Sequence, residues 1–121
     1  MTTTAKAQLP NAIFLVLGSD DATIPDVTAE GLIWASKDAL IIGGTNDMDG
    51  ETTIHVSTSP PENNLIPLEP RKIFSNAGKL SLETVYAQPL IQYEVRPGIV
   101  EIIVWVDDLA EPGTVHLQID Q

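Results

Sequence analysis

His55 and His116 are the chain's only histidines, and so the side chains best placed to exchange a proton near neutral pH. Each falls on the polar side of an alternating run, Thr52 to Ser57 and Thr114 to Asp120. A general base works only with an acid or nucleophile held within hydrogen-bond reach, a geometry that sequence spacing does not supply. Solvated strand histidines are therefore expected. Ser19, Ser36, Ser57, Ser59, Ser75 and Ser81 include no G-x-S-x-G elbow. There is no cysteine to act as a thiolate, and no G-x-G-x-x-G or Walker loop to cradle phosphate; Gly43-Gly44 reads as a flexible strand end. The expectation is a protein that is not an enzyme and carries no cofactor.

The carboxylates are the more informative set. The 121 residues hold 17 acidic and 6 basic side chains, a formal net charge of −11. Nucleic-acid backbones and anionic lipid both need Lys/Arg clusters, so neither is expected as a partner. Between Lys37 and Arg71 lie Asp38, Asp47, Asp49, Glu51, Glu62 and Glu69 with no base, and after Arg96 come Glu101, Asp107, Asp108, Glu111 and Asp120, again with none. Arg71, Lys72 and Lys79 gather half of the positive charge. An acidic surface keeps a small protein soluble, and it also steers the molecule toward a basic partner. On that second reading Asp20, Asp21, Asp47, Asp49, Glu51, Asp107 and Asp108, all in turn-rich stretches, are the candidate partner-binding residues.

The same loops invite a calcium test. Thr45-Asn46-Asp47-Met48-Asp49-Gly50 superficially resembles an EF-hand loop, but its first position is threonine and its twelfth is Val56, where carboxylates are needed. Loops at one end of a β-sandwich could still gather Asp20-Asp21, Asp47-Asp49 and Asp107-Asp108 around an ion. The simpler explanation is that Asp and Asn are good turn residues.

The elements that would position these groups read as strands. Hydrophobic residues make up 43% of the chain, mostly Ile, Leu and Val, which suits one domain with an apolar core. Residues 1–9 read as a flexible polar tail, and 10–121 as one β-sandwich domain. Asn11 to Gly18 reads as a buried strand. Asp26 to Gly31 reads as one helical turn, and Leu32 to Ser36 with Ala39 to Gly43 as a hairpin in preference to a single helix over 26–42. Thr45 to Gly50 ends in Asp-Gly, a hairpin signal before the strand Thr52 to Ser57. Residues 58–70 hold Pro60, Pro61, Pro67 and Pro70, which leave no room for a helix. Lys79 to Tyr86 places Leu80, Leu82 and Tyr86 on one face, and Leu90 to Val95 points Ile91, Tyr93 and Val95 inward. Ile99 to Val106 is apolar on both faces, as a central strand is. Trp34 and Trp105 read first as core anchors and second as stacking platforms. About eight short antiparallel strands result, a small all-β sandwich.

The run DVTAEGLIWASKDALIIGGTNDMDGETTIHVS from Asp26 to Ser57, and the later run LSLETVYAQPLIQYEVRPGIVEIIVWV, resemble the competence-associated nuclease inhibitors. The shared order is an Asp-led turn reaching a glycine, a short strand, an exposed hairpin and an alternating strand. A Leu-Ser strand and a Pro-Gly turn follow, leading into the strand that carries Trp105. The resemblance spans roughly residues 12–119 and is thin from Pro60 to Gly78. It implies a small acidic β-sandwich that binds and blocks a nuclease.

The leading expectation is thus an acidic protein-binding module with a basic protein partner, a nuclease being the specific candidate. The alternatives are a ligand- or calcium-binding β-sandwich, and a structural subunit of a homo-oligomer. With no apolar run of membrane-spanning length and no signal-like N-terminus, a soluble cytoplasmic chain is expected.

Overall fold

Alternation of apolar and polar residues puts one face of each strand against a shared core, and the computed structural model, which describes residues 2–28 and 30–121, shows two such sheets packed together. The order is β1 (Thr3–Ala7), a 3-10 turn (Pro10–Ala12), β2 (Ile13–Leu17), β3 (Ile33–Ala35), β4 (Ala39–Gly43), β5 (Thr52–Ser57), β6 (Ile66–Pro67), β7 (Arg71–Ser75), β8 (Lys79–Glu83), β9 (Pro89–Glu94), β10 (Gly98–Val106) and β11 (Thr114–Asp120). One sheet runs β1-β5-β11-β10-β6, with β7 also paired to β10; the other runs β3-β4-β2-β8-β9. Among the strand pairs described, all are antiparallel except β5 with β11, which is parallel. The fold is an all-β sandwich.

Val100, Ile102, Val104 and Val106 of β10, with Val115, Leu117 and Ile119 of β11, face Phe14, Val16, Leu40, Ile42, Leu80 and Leu82 across the core. Among the described residues no helix is long and apolar enough to cross a membrane.

Several expectations need correction. Residues 3–7, expected as a flexible tail, form β1 and pair with β5 from Thr3↔Val56 to Ala7↔Thr52. Their alternation was hidden because its inward members, Ala5 and Ala7, are small; Leu9 completes the series and is fully buried. Asp26 to Thr28 form no helical turn, and Ala29 in that stretch lies outside the described residues. The Asp-Gly stretch 45–50 is not a hairpin. It carries the chain from β4 in one sheet to β5 in the other, through a turn closed by Asp49 N–H donating to Asn46 O at 2.8 Å. Strand β8 stops at Glu83, where its register with β9 shifts. Thr84 Oγ1 then accepts the N–H groups of Tyr86 and Gln88, leaving Tyr86 76% exposed rather than in the core. Strand β7 was not foreseen. The hairpin of β3 and β4 holds, with Ser36 N–H bonding Ala39 O at 2.9 Å across Lys37-Asp38.

The tryptophans are not core anchors. Trp105 sits half-buried on the outer side of β10 and its indole N–H donates to Gln118 Oε1 at 3.1 Å. Trp34, also half-buried, donates to Thr28 Oγ1 at 3.1 Å. Strand β10 is central, as its two apolar faces imply, yet its outer side stays open, with Ile99 59% exposed.

Backbone hydrogen bonds join the two sheets where β2 ends. Gly18 N–H donates to Asp38 O, and Phe74 N–H donates to Lys37 O, both at 2.8 Å, so the β3–β4 turn bonds to both neighbours. A Cβ on Gly18 would collide with the Phe74 carbonyl oxygen, which is backbone and cannot swing aside. Gly18→Ala is expected to cost about 1–3 kcal/mol of stability, the usual penalty for overpacking, read as a lower urea midpoint at unchanged m-value.

Candidate functional site

At one end of the sandwich the chain crossing between sheets (residues 45–51) lies beside the β10–β11 turn (107–113). Thr45 Oγ1 donates to Pro112 O at 2.8 Å, Asn46 N–H to Glu111 Oε1 at 3.1 Å, and Thr53 N–H to Gly113 O at 2.9 Å. Together the two segments present Asp47, Asp49, Glu51, Asp107, Asp108 and Glu111, and neither contains a lysine or arginine.

Some of these carboxylates build the loops. Asp107 Oδ1 accepts the N–H groups of Gly113 and Thr114 at 2.9 and 3.1 Å, and Asp108 Oδ1 those of Ala110 and Glu111 at 2.7 and 3.1 Å. Asp108 makes an Asx-type turn and Asp107 closes the loop across its far end, each exchanging one carboxylate oxygen for a fixed loop shape. The hydrogen bonds from Ala110 and Glu111 hold the Asp108 carboxyl below the usual aspartate value. Asp49 and Glu51 are exposed and Asp47 is half-buried.

Five of the seven candidates (Asp47, Asp49, Glu51, Asp107 and Asp108) therefore share one end. Asp20 and Asp21 do not join them. They follow Gly18, which packs on Phe74 opposite the start of β10, whereas Asp107 follows the last residue of β10. Nine residues of strand separate those positions, roughly 30 Å. A single ion site drawing on all three Asp pairs is thus geometrically closed off, and the described residues hold no group of three or more His, Cys, Asp or Glu fit for a metal.

The electrostatic setting is lopsided. Among the described residues the one ion pair is Arg71 with Glu69 at 3.7 Å. The six-carboxylate end has none, so its field reaches solvent without internal neutralisation. Glu111, which ties the two loops together, escaped selection from sequence; only its neighbourhood with Asp107 and Asp108 hinted at it.

The histidines form a second feature. In the parallel β5/β11 ladder His55 lies directly opposite His116, their ring centroids 6.0 Å apart. His116, expected to be solvated, is buried beneath the Pro-rich segment: Nε2 contacts Ser59 O at 3.0 Å and Ser57 Oγ at 3.1 Å. A carbonyl only accepts, so Nε2 carries the proton and pins the loop. His55 Nδ1 bonds Thr4 Oγ1 at 2.8 Å, tying β1 to the sheet. The pair borders a cleft of about 410 Å³ with Ser57, Ser59, Glu62 and Asn63. Through these bonds His116 braces the Pro-rich loop and His55 the edge strand β1.

No family model and no curated protein sequence matches the chain. Two solved structures do share its fold. ComJ from Bacillus subtilis, inhibitor of the DNA degrading activity of NucA, superposes with a TM-score of 0.70 at 12% identity, covering 95% of this chain and 92% of ComJ. Crocagin biosynthetic gene J superposes with a TM-score of 0.52 at 13% identity, covering 97% of each chain. The likeness is one of fold.

Burial, then the charges of His116 and Lys6, lower the His55 pKa from 6.5. The unfolded chain accordingly takes up a proton near pH 6.5 that the folded chain refuses, so stability is full above that pH and falls as pH drops below it. Melting temperature is expected to decrease between pH 7.5 and 5.5. His55→Gln, which keeps a partner for Thr4, should flatten that decrease; an unchanged slope in the variant would show that His55 is not its source.

Proposed function

We propose that this chain is an acidic protein-binding module that inhibits a nuclease. The observation that carries the reading is the end formed by residues 45–51 and 107–113, where six carboxylates stand together and none is engaged in an ion pair among the described residues. A nuclease cleft is built to hold a row of phosphates, and carboxylates at similar density supply the same charge to the same lysines and arginines. The likeness in fold to ComJ, over nearly the whole of both chains, supports the reading.

Rigidity is part of the mechanism. Asp107 and Asp108 each spend one oxygen on loop backbone, which leaves the other held outward in a fixed place. Glu111 links the two loops through Asn46, so the charged surface is ordered before it meets a partner. Less side-chain and loop freedom is then lost on binding. The basic partner is drawn in by the net charge of −11 and docks on this end.

The test is to immobilise the protein, pass native cell extract of its source over it at low salt, elute at high salt, and assay the eluate for DNA degradation. A retained nuclease whose activity falls when the free chain is added back is the expected result. An eluate without DNA-degrading activity, or one that the added chain leaves unaffected, would sink the reading. The triple change Asp47→Asn, Asp49→Asn, Glu51→Gln removes three charges and none of the loop hydrogen bonds described above. It is expected to weaken inhibition by about ten- to a hundredfold at low salt and to reduce its salt dependence, at nearly unchanged melting temperature.

A further inference from the structure

Strand β3 is the end strand of its sheet, and among the described residues nothing pairs with one side of its backbone. Leu32 O accepts from Gly43 N–H and Ser36 N–H donates to Ala39 O, so the even-numbered residues 32, 34 and 36 bond toward β4. The N–H and C=O groups of Ile33 and Ala35 consequently point the other way, toward the open edge.

That edge borders a groove of about 510 Å³. Its apolar lining comes from Leu32 and Ile33 on one side and from Leu68 and Leu109 on the other, and Glu30 and Glu69 also border it. Arg71 lines it too, and is engaged by Glu69. Leu109 is 58% exposed, in the same turn that carries Asp107, Asp108 and Glu111, so the groove opens beside the acidic end. The opposite wall cannot accept a strand as readily: Pro67 and Pro70 lack N–H groups, and Phe74 already donates to Lys37 O.

We infer that the β3 edge and its groove receive an extended segment of the basic partner, which adds a strand to the sheet; the identity of the occupant rests on the inhibitor reading above. The register fixes the chemistry of that segment. Ile33 pairs with the fully buried Ile42 and so faces inward, whereas Trp34 pairs with Ile41 on the outer side. Guest residues opposite Ile33 and Ala35 point into the groove, where apolar side chains meet Leu68 and Leu109. Guest residues opposite Trp34 point outward along its indole, where lysine or arginine is favoured by the ring face and by the chain's net charge of −11. The segment alternates apolar and basic residues.

The probe is acetyl-Lys-Val-Lys-Val-Lys-amide, with acetyl-Glu-Val-Glu-Val-Glu-amide as control, added to the isotope-labelled full chain while amide exchange is followed by NMR. Saturating Lys peptide is expected to slow exchange at Ile33 and Ala35 by about tenfold, and the Glu peptide to leave both unchanged. Ala35→Pro removes an N–H that no ladder uses, and is expected to fold and to lose the peptide; Leu109→Glu, on the far wall of the groove, is expected to weaken binding of the valines. Unaltered exchange at both amides, or protection at β1 or β9 instead, overturns the proposal. So does protection that rises with protein concentration in the absence of peptide, since the occupant would then be a second copy. Because the probe contains no nuclease, the two readings fail separately: inhibition of a captured nuclease that survives Ala35→Pro removes the edge alone, and protection by the Lys peptide without any captured nuclease removes the inhibitor reading alone.

Discussion

The two sheets must hold together against the molecule's own charge, and the buried contact between them is what does so. With a formal charge of −11 and a single ion pair among the described residues, neighbouring carboxylates repel one another and no internal network of opposite charges offsets them. The inner faces of β10 and β11 against β2, β4 and β8 therefore carry the stability, through side chains such as Phe14, Leu40, Ile102 and Leu117 that are removed from water entirely. Everything else follows from that division. The core sets where strands end, strand ends set where loops stand, and most of the carboxylates stand in the loops, with Glu83, Glu94, Glu101 and Asp120 on strands.

Polar side chains finish what the core begins. Ser36, Asp38, Thr84, Asp107 and Asp108 each satisfy loop N–H groups that no strand could reach, and no buried side-chain nitrogen or oxygen among the described residues lacks a partner. His116 belongs to this group. Its position in the strand is polar by sequence pattern, yet the Pro-rich segment folds back over it and turns an outward histidine into a buried brace.

The sequence was most legible where alternation was strong and both ends of a strand were marked. Leu80 and Leu82, Ile91, the even residues of β10, and Val115, Leu117 and Ile119 all point where their spacing says they should. Legibility failed where the signal was weak or belonged to another sheet. Alanine carries too little apolar weight to announce β1, Arg71 and Lys72 mask the alternation of Ile73 in β7, and an Asp-Gly step describes a local turn but not which sheet the next strand will join. Five of the seven candidate carboxylates come together because the β4–β5 crossing and the β10–β11 turn lie at one end. Asp20 and Asp21 stand apart because β2 runs the opposite way through its sheet. Proximity in such a site is a property of topology, and charge runs alone do not encode it.

The acidic end and the open edge also act at different ranges. Charge is felt across a Debye length, roughly 8–10 Å, and raises the rate of encounter without choosing a register. Backbone groups on β3 act only within hydrogen-bond distance, and the period-two pleat decides which face of an extended chain enters the groove. The turn carrying Leu109 belongs to both features, since Asp107, Asp108 and Glu111 surround a leucine that lines the groove. On the proposed reading, a partner steered to the acidic end would arrive beside Leu109, the large apolar side chain of the groove wall that stands furthest into solvent.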